Sequence, residues 1–202
     1  MAGKREMKRE DLKARLIEAA RNRIMADGLG NLRARDVTQD AGCALGGLYT
    51  AFRDLDELVV QVNSSTLAMI EQRLTPALSG TDDPVEQLRI LARGYLKFAR
   101  ENRNLWAALF EHRLPDGAAV PDWHLEKHMF LIQFIARPLA RIQPDLKGED
   151  LQVRALTLFS AVHGIVSISL EGRFVGIPAT RLDGELDDFV TLLAAGSKTA
   201  KR

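Results

Sequence analysis

Apolar residues recur at intervals of three and four along almost the whole chain, and this periodicity constrains the fold more than any other feature. Near the N-terminus, Leu12, Leu16, Ala20 and Ile24 are spaced every four residues, with charged residues between them. That spacing places all four on one face of a helix. No segment shows the alternation typical of a half-buried strand. The sequence therefore predicts an all-α protein of about nine helices.

Glycine and proline residues divide this pattern into separate helices. Gly28 and Gly42 are expected to end the first two helices, and Pro84 and Pro121 to begin later ones. Pro138 is expected to kink or end the seventh helix. The predicted bounds are about 9–27, 33–40, 45–51 and 54–78, then a fifth helix that carries Leu88 to Phe98, then 104–112, a seventh helix from 121, 149–174 and 182–195.

Composition narrows the class of protein. Of 202 residues, 46% are hydrophobic and 27% charged, and the formal net charge is +1, which is typical of a soluble globular protein. Cys43 is the only cysteine, which excludes an intrachain disulfide and fits a reducing cytoplasm. The N-terminus is charged, without an apolar signal stretch, and no apolar run appears long enough to span a bilayer. We therefore expect a cytoplasmic protein with no membrane partner.

Two of the short predicted helices, 33–40 and 45–51, are joined around Ala41-Gly42-Cys43. Glycine permits a sharp turn that a side chain would obstruct, as in a helix-turn-helix. In that motif the second helix enters the DNA major groove while the first crosses the backbone. Between Met1 and Phe52, ten basic residues stand against seven acidic ones. The motif predicts a DNA partner, and the charge excess adds modest support.

The residues around this motif form a specific pattern. They are Leu16-Ile17, Ala19-Ala20, Gly28, Leu32, Arg35-Asp36-Val37, Ala41-Gly42, Gly46, Leu48-Tyr49, Phe52, Asp54 and Glu57-Leu58. With this pattern, the segment 9–58 resembles the DNA-binding domain of the tetracycline-repressor (TetR) family. The resemblance implies that 45–51 is the recognition helix. It also implies that Arg35, Gly47, Tyr49 and Thr50 stand at positions that contact bases or phosphates.

Several positions depart from the family pattern. Ala44 and Arg33 replace the usual serine or threonine caps, Leu45 a basic or polar residue, Gly47 a hydroxyl residue, and Leu55 a lysine. A missing cap costs about 1 kcal/mol, and each adjacent glycine about 1 kcal/mol more. We therefore expect a recognition helix that is soft when free. Arg33, Arg53 and the basic arm are expected to take over phosphate contacts, and Leu45 and Gly46 complete the candidate DNA-binding set.

The C-terminal two-thirds carries a second family pattern. Ala161-Val162-His163-Gly164 and the segment 104–115 resemble a TetR C-terminal class with a Trp-His-Gly signature, although Val162 replaces the tryptophan. The class implies a cavity for a small-molecule effector and a homodimer through the last two long helices, predicted at 149–174 and 182–195. The candidate effector-binding residues are Trp106, Phe110, His112, Trp123, His128, Phe130 and His163. The alternative is that most of them pack in the core.

The histidines suggest two further hypotheses, a metal site and an enzymatic activity. His124 and His128 have metal-ligand spacing, but Glu126 is one position too late for a zincin motif, and Lys127 would oppose a cation. No phosphate-binding glycine loop, nucleophile elbow or dinucleotide fingerprint is present. We expect no metal, no cofactor and no enzymatic activity.

The sequence thus predicts three regions and one main function. Residues 1–9 form a flexible basic arm, 10–70 a helix-turn-helix domain with the start of a linking helix, and 71–202 an effector-binding and dimerisation domain. The predicted function is that of a transcriptional repressor, released from a palindromic operator by a small molecule. The alternative is a ligand- or protein-binding module of the same fold with weakened DNA binding, which the departures at Ala44, Leu45, Gly47 and Leu55 favour.

Overall fold

A computed structural model describes residues 2–115, 119–172 and 175–196. Within these ranges the chain forms nine α-helices and no strand, which confirms the predicted all-α fold. The helices are α1 (Ala2–Asp27), α2 (Ala34–Asp40), α3 (Leu45–Ala51), α4 (Leu55–Leu78), α5 (Pro84–Glu101), α6 (Arg103–Glu111), α7 (Asp122–Ile142), α8 (Gly148–Leu170) and α9 (Leu182–Gly196). The chain divides into two compact units. The first is Met1–Ala68 with Asn102–His124, and the second is Met69–Glu101 with Leu125–Arg202.

The first helix is longer than its apolar pattern. It begins at Ala2 rather than near residue 9, so the segment predicted as a flexible arm is helical. Residues 6–10 are all exposed, and no tertiary packing selects their conformation. Their long unbranched and charged side chains favour a helix by intrinsic propensity, which the search for apolar periodicity does not detect. The helix ends at Gly28, whose φ of 79° suits glycine, and a single 3-10 turn, Leu29–Asn31, follows.

An apolar core holds the first unit together. Leu16 and Ile24 of α1 are fully buried in one cluster with Val37 of α2 and Leu48 of α3. The helix α6 contributes to the same cluster, because its Leu105 and Ala108 lie in it as well, while Asn104 Nδ2 donates to the Met25 carbonyl of α1 at 3.0 Å. The helix-turn-helix therefore shares one core with α6, a segment about 50 residues further along the chain.

Asp54 caps the start of α4. Asp54 Oδ1 accepts the Glu57 backbone N–H at 2.7 Å, and Glu57 Oε2 accepts the Arg53 backbone N–H at 2.6 Å. This exchange satisfies amides that the helix itself leaves unpaired. The backbone N–H of Glu57, followed by the Arg53 side chain, lowers the pKa of Asp54 below its ordinary value.

Two helices have ends that differ from prediction. The seventh helix continues through Pro138 to Ile142, because Phe134, Ala136 and Leu139 are buried around the proline and packing outweighs the lost backbone hydrogen bond. The eighth ends at Leu170 rather than residue 174. Gly172 then adopts a φ of +68°, which is typical of a helix C-terminus. Phe174 lies outside the described residues.

In the second unit, α5 and α9 pack along their length. Apolar residues from both helices are buried, among them Leu96 and Phe98 of α5 and Leu186 of α9. Polar pairs flank this seam. Arg89 donates to Thr191 Oγ1 at 2.8–3.0 Å, Arg100 to Asp183 at 2.8 Å, and Arg93 lies 3.2 Å from Asp187. Burial raises the pKa of Asp187, and the nearby Arg93 and Arg89 oppose that rise.

Candidate nucleic-acid interface and effector-site residues

The structure places α2 and α3 as a helix-turn-helix. Gly42, at the turn between them, has a φ of +64°, a conformation that residues with a side chain rarely adopt. The turn is closed by the Gly42 N–H on the Gln39 carbonyl at 3.1 Å and by the Cys43 N–H on the Thr38 carbonyl at 2.9 Å. Val37 and Leu48 lie on the buried sides of the two helices. The opposite side of α3 is therefore left for a partner.

Two arginines of α1 brace this turn from behind. Arg15 donates to the carbonyl of Ala41, which ends α2. Arg23 holds Asp40 through two hydrogen bonds, at 2.6 and 2.9 Å, and this pairing lowers the pKa of Asp40. Both cations belong to the basic excess seen in the sequence. They stabilise the orientation of α2 on α1, and sequence spacing alone does not reveal that role.

The outer side of α3 carries most of the predicted DNA-binding residues. Tyr49 is 57% exposed and Leu45 38% exposed, and Gly46 and Thr50 are also at the surface. Neither Ala44 nor Arg33 provides a side-chain cap to the helix that follows it, as the departures from the family pattern predict. The helix therefore presents one aromatic ring, one aliphatic side chain and a stretch of bare backbone.

The cations around α3 differ in their partners. The Arg33 guanidinium donates to the carbonyls of Gly30 and Leu32, both at 3.0 Å. Within the described part of the chain, neither Arg33 nor Arg35 pairs with a carboxylate, so neither would have to leave one to contact a phosphate. Arg53 is exposed but pairs with Asp54 at 2.9 Å, which raises the pKa of Arg53. Contact with a phosphate would require Arg53 to leave that carboxylate or to share itself between the two.

Two of the departures from the family pattern are built into the packing. A Cβ at Gly47 would lie 3.1 Å from Cys43 Sγ and 3.3 Å from Cys43 Cβ, closer than ordinary contact, so a hydroxyl residue there would require the Cys43 side chain to shift by a few tenths of an ångström. Leu55 packs against the core of the first unit, where a lysine would remove apolar contact. By contrast, a Cβ at Gly46 would meet no atom within 4 Å.

Four of the predicted effector residues fall in the first unit. Trp106 is buried, and its ring lies 5.6 Å from that of the exposed Phe110. His112 Nε2 lies 3.0 Å from Asp56 Oδ1, so this imidazole joins the end of α6 to the first turn of α4. Trp123 is partly exposed at the start of α7, next to the buried His124.

The other three lie in the second unit. The Tyr95 hydroxyl is 2.8 Å from His163 Nδ1, and the Phe159 ring stacks on the imidazole at 5.9 Å. Burial lowers the pKa of His163, against a smaller opposing effect of Glu171, and burial also lowers the pKa of His128. Both imidazoles are therefore neutral near pH 7. Phe130 is exposed and packs edge-on against Phe134.

Tyr95 lies in the helix predicted to carry Leu88 to Phe98, and the sequence pattern assigns it no role in a site. Its hydroxyl meets a histidine 68 positions away, and no local pattern signals that contact. His124, which the sequence places at metal-ligand spacing from His128, has a hydrogen-bonding partner instead. Its Nδ1 lies 2.6 Å from Ser64 Oγ in the buried part of the first unit. Among the described residues, no group of three or more histidine, cysteine or acidic side chains is arranged to hold a metal.

Helix α8 is apolar on more sides than its own unit covers. Ala155, Leu158, Val162 and Val166 are buried, whereas other apolar residues remain exposed. The exposed ones are Val153, Leu156 and Ile168 on α8 and Leu192 and Leu193 on α9. Gly148–Leu170 is long and apolar enough to cross a membrane by length and composition, but one such helix is weak evidence of a span. An exposed apolar surface of this kind also suits contact with a second protein chain.

Comparison with known proteins supplies the family. A family model described as a tetracyclin repressor-like C-terminal domain matches residues 88–193, which is more than half of the chain. An uncharacterized HTH-type transcriptional regulator from Haemophilus influenzae is 27% identical over 110 residues, which cover 54% of each chain. The chain thus spans about half the length of this curated relative. The Trp-His-Gly class is not distinguished by these matches and stays a prediction.

Solved structures share the fold over nearly the full length. RolR, crystallised with the ligand resorcinol, is 21% identical with a TM-score of 0.70, and the match covers 98% of this chain and 97% of that one. A putative fatty acid metabolism regulator of Clostridium perfringens is 22% identical with a TM-score of 0.62, covering 90% and 97%. A TetR regulator from Rhodococcus sp. RHA1 is 15% identical with a TM-score of 0.63, covering 92% and 97%.

Proposed function

Because the chain belongs to the TetR family, whose members are transcriptional regulators, we propose that it is a repressor that binds DNA through α2 and α3. The observation that carries this proposal is the helix-turn-helix itself. Its inner sides are packed and its turn is braced by Arg15 and Arg23, while Tyr49, Thr50 and Leu45 face outward. A rigid support behind an exposed helix is what reading a DNA groove requires.

The surrounding cations would fix the protein on the phosphate backbone. Arg33 and Arg35 stand at the start of α2, and Arg53 stands just beyond α3. Phosphate contacts of this kind set register and orientation, whereas base-edge contacts set sequence preference. Gly46 adds no side chain on the exposed side of α3, so the backbone there can approach the bases closely.

The exposed apolar surface of α8 and α9 would bind a second copy of the chain. A two-fold dimer places two recognition helices on a palindromic operator, with their centres about 34–36 Å apart. Val153, Leu156 and Leu192 would then be buried between protomers. We further propose that the dimer acts in the cytoplasm and has no enzymatic activity, as is usual for regulators of this family.

A small molecule would release the dimer from DNA by favouring a spacing of the two heads that no longer fits both half-sites. A coupling of about 1–3 kcal/mol is sufficient for such control. Of the candidates in the second unit, Phe130 offers an aromatic ring, and the neutral His128 and His163 can donate or accept hydrogen bonds. RolR, a protein of the same fold, was crystallised with the small phenol resorcinol, which supports an organic effector of modest size.

A direct test measures binding to the DNA upstream of the protein's own gene by fluorescence anisotropy. We expect sequence-specific binding at moderate ionic strength, with an excess of unrelated DNA present. Arg35→Ala should weaken it at least tenfold. Arg141→Ala, which removes an exposed arginine from the last turn of α7, is the matched control and should leave it unchanged. Failure of the unaltered protein to bind this region or any selected sequence would contradict the proposal.

The second candidate function is a TetR-fold module that binds a ligand or protein and has lost most of its affinity for DNA. The uncapped start of α3 favours it. Restoring threonine at 47 and lysine at 55 is a poor test, because both changes disturb packing. Ala44→Ser is a better one, since position 44 is exposed and serine can supply the missing cap. If this candidate is correct, Ala44→Ser raises a weak DNA affinity; nanomolar binding by the unaltered protein rejects it.

A further inference from the structure

The recognition helix lacks the side chains that usually identify bases by hydrogen bonds. From Leu45 to Ala51 it contains no arginine, lysine, asparagine, glutamine, aspartate or glutamate. Those are the residue types that pair specifically with guanine, adenine or cytosine in the major groove. The remaining polar groups are the hydroxyls of Tyr49 and Thr50. The Thr50 hydroxyl donates to the Gly46 carbonyl at 3.0 Å, which leaves it only the ability to accept.

The exposed surface of α3 is instead apolar. Leu45 is the first residue of the helix, and its aliphatic side chain is 38% exposed. Tyr49 follows four positions later, on the same side of the helix. Between them, Gly46 has open space at its Cβ position, so no neighbouring side chain holds the Leu45 methyl groups away from a surface that approaches α3.

We propose that this surface reads thymine, with Leu45 in contact with the C5-methyl group of a thymine in each half-site of the operator. The proposal rests on the DNA-binding function proposed above and specifies its chemistry. The C5-methyl of thymine is the one apolar group that the four unmodified bases present in the major groove. An aliphatic side chain on an otherwise non-polar recognition helix gains most from burying that methyl.

The charged residues around α3 suit phosphate contacts and leave base recognition to α3. Arg33, just before α2, and Arg35, in its first turn, form no ion pair among the described residues and stand outside α3. They supply attraction for the phosphates that flank the groove, and that attraction carries no direct sequence information. With the two arginines on phosphates, sequence preference comes from α3, where the exposed residues are Leu45, Gly46, Tyr49 and Thr50.

The test begins with selection of binding sites from random double-stranded DNA. Each thymine of the selected operator is then replaced by deoxyuridine, which removes only the C5-methyl, and affinity is measured by anisotropy. Loss of one buried methyl is worth about fourfold in affinity, so replacement at the equivalent thymine of both half-sites should weaken binding about 15-fold. All other thymines should tolerate replacement within about twofold.

Leu45→Ala should bind the thymine and deoxyuridine operators within about twofold of each other, because the partner of the methyl is gone. Leu45→Met keeps an aliphatic side chain and should retain sensitivity, and it serves if the alanine variant is too unstable. Met25→Ala, which removes a half-exposed apolar side chain from α1, is the control and should keep the full effect.

The outcomes separate the two proposals. A specific operator that tolerates deoxyuridine at every position overturns the thymine inference and leaves the regulator function intact. So does an operator whose sensitive thymine stays equally sensitive in the Leu45→Ala variant, or one whose preference is for guanine and is lost in Arg35→Ala. If selection yields no preferred sequence at all, both proposals fail.

Discussion

A single carboxylate, Asp54, decides how the helix after the DNA-binding motif begins. It accepts the Glu57 N–H in place of the helical partner which that amide lacks, and Glu57 in turn accepts the Arg53 N–H. The residue sits directly between the recognition helix and α4. Fraying at this point would loosen the C-terminal side of α3, so the cap contributes to the geometry of the DNA-binding surface as well as to stability.

We expect Asp54→Ala to lower the free energy of unfolding by about 1 kcal/mol, as for other helix N-caps. The pKa of Asp54 is depressed in the folded state, so its contribution is complete above the ordinary aspartate pKa of about 3.9 and is lost as pH falls through the lower folded value. Urea denaturation between pH 7 and pH 3 measures this. Asp54→Asn should keep the cap but flatten the acid side of the profile. An unchanged profile in Asp54→Asn would contradict the assignment.

Adjacent glycines in α3 should respond in opposite ways to the same substitution. Gly46→Ala adds a methyl in open space and should stabilise the protein by up to about 1 kcal/mol through helix propensity. Gly47→Ala should gain less or destabilise, because its Cβ would crowd Cys43 Sγ at 3.1 Å. Thermal unfolding of the two variants, and of Gly47→Ala combined with Cys43→Ala to remove the sulfur, checks the pair. Equal stabilisation by both single changes would show that the close approach is harmless.

Among the elements, the helices of the helix-turn-helix were the most predictable from sequence, and the long-range tertiary contacts were the least predictable. The predicted bounds 33–40 and 45–51 agree with α2 and α3 to within one residue, because glycines and apolar spacing mark them locally. Nothing local indicates that Arg23 pairs with Asp40, 17 positions away, or that α6 packs in the same core as α1. Those features depend on which helices meet, and periodicity shows only which face of a helix is buried.

For the candidate DNA-binding residues the structure gives exposure and packing, and their contacts with DNA stay a prediction. Of the α3 positions that the resemblance assigned, Tyr49 and Thr50 are exposed and Gly47 is not. The resemblance treated Gly47 and Leu55 as lost DNA contacts, since their packing against Cys43 and the core is visible only in three dimensions. The effector roles of the seven candidates stay a prediction, because ring contacts such as Tyr95 with His163 also occur in ordinary cores.

The tie between α6 and α4 through His112 and Asp56 can be measured. We expect each of His112→Ala and Asp56→Ala to lower the free energy of unfolding. The double variant should lower it by about 0.5–1.5 kcal/mol less than the sum of the two single changes. Each single change already removes the hydrogen bond at 3.0 Å, so the sum counts that bond twice. A double-mutant cycle from urea denaturation gives the coupling. Glu111→Gln, at the neighbouring exposed position, is the control. Strict additivity would mean that the contact contributes nothing to stability.

For the molecule as a whole, the exposed apolar residues of α8 and α9 predict the assembly. Leu156→Arg combined with Leu192→Arg should convert a dimer into monomers, because two charges per protomer would have to be buried in the interface. Light scattering coupled to gel filtration reads the mass. Met25→Arg, at an exposed apolar position on α1, should remain dimeric. A dimer that survives the double change would place the interface elsewhere.

The braces that Arg15 and Arg23 provide behind the turn also set how strongly DNA binding responds to salt. Because Arg15 and Arg23 lie behind the turn and are held by Ala41 and Asp40, we expect neither to displace counterions from DNA. If phosphate contacts are limited to Arg33, Arg35 and Arg53 of each protomer, the slope of log K against log salt should be about −5. Arg35→Gln should reduce its magnitude by about 2, one counterion per head, whereas Arg23→Gln should weaken folding and leave the slope unchanged. The number of basic residues in the N-terminal quarter is therefore larger than the number that contact phosphates, because some of these cations stabilise the helix-turn-helix instead.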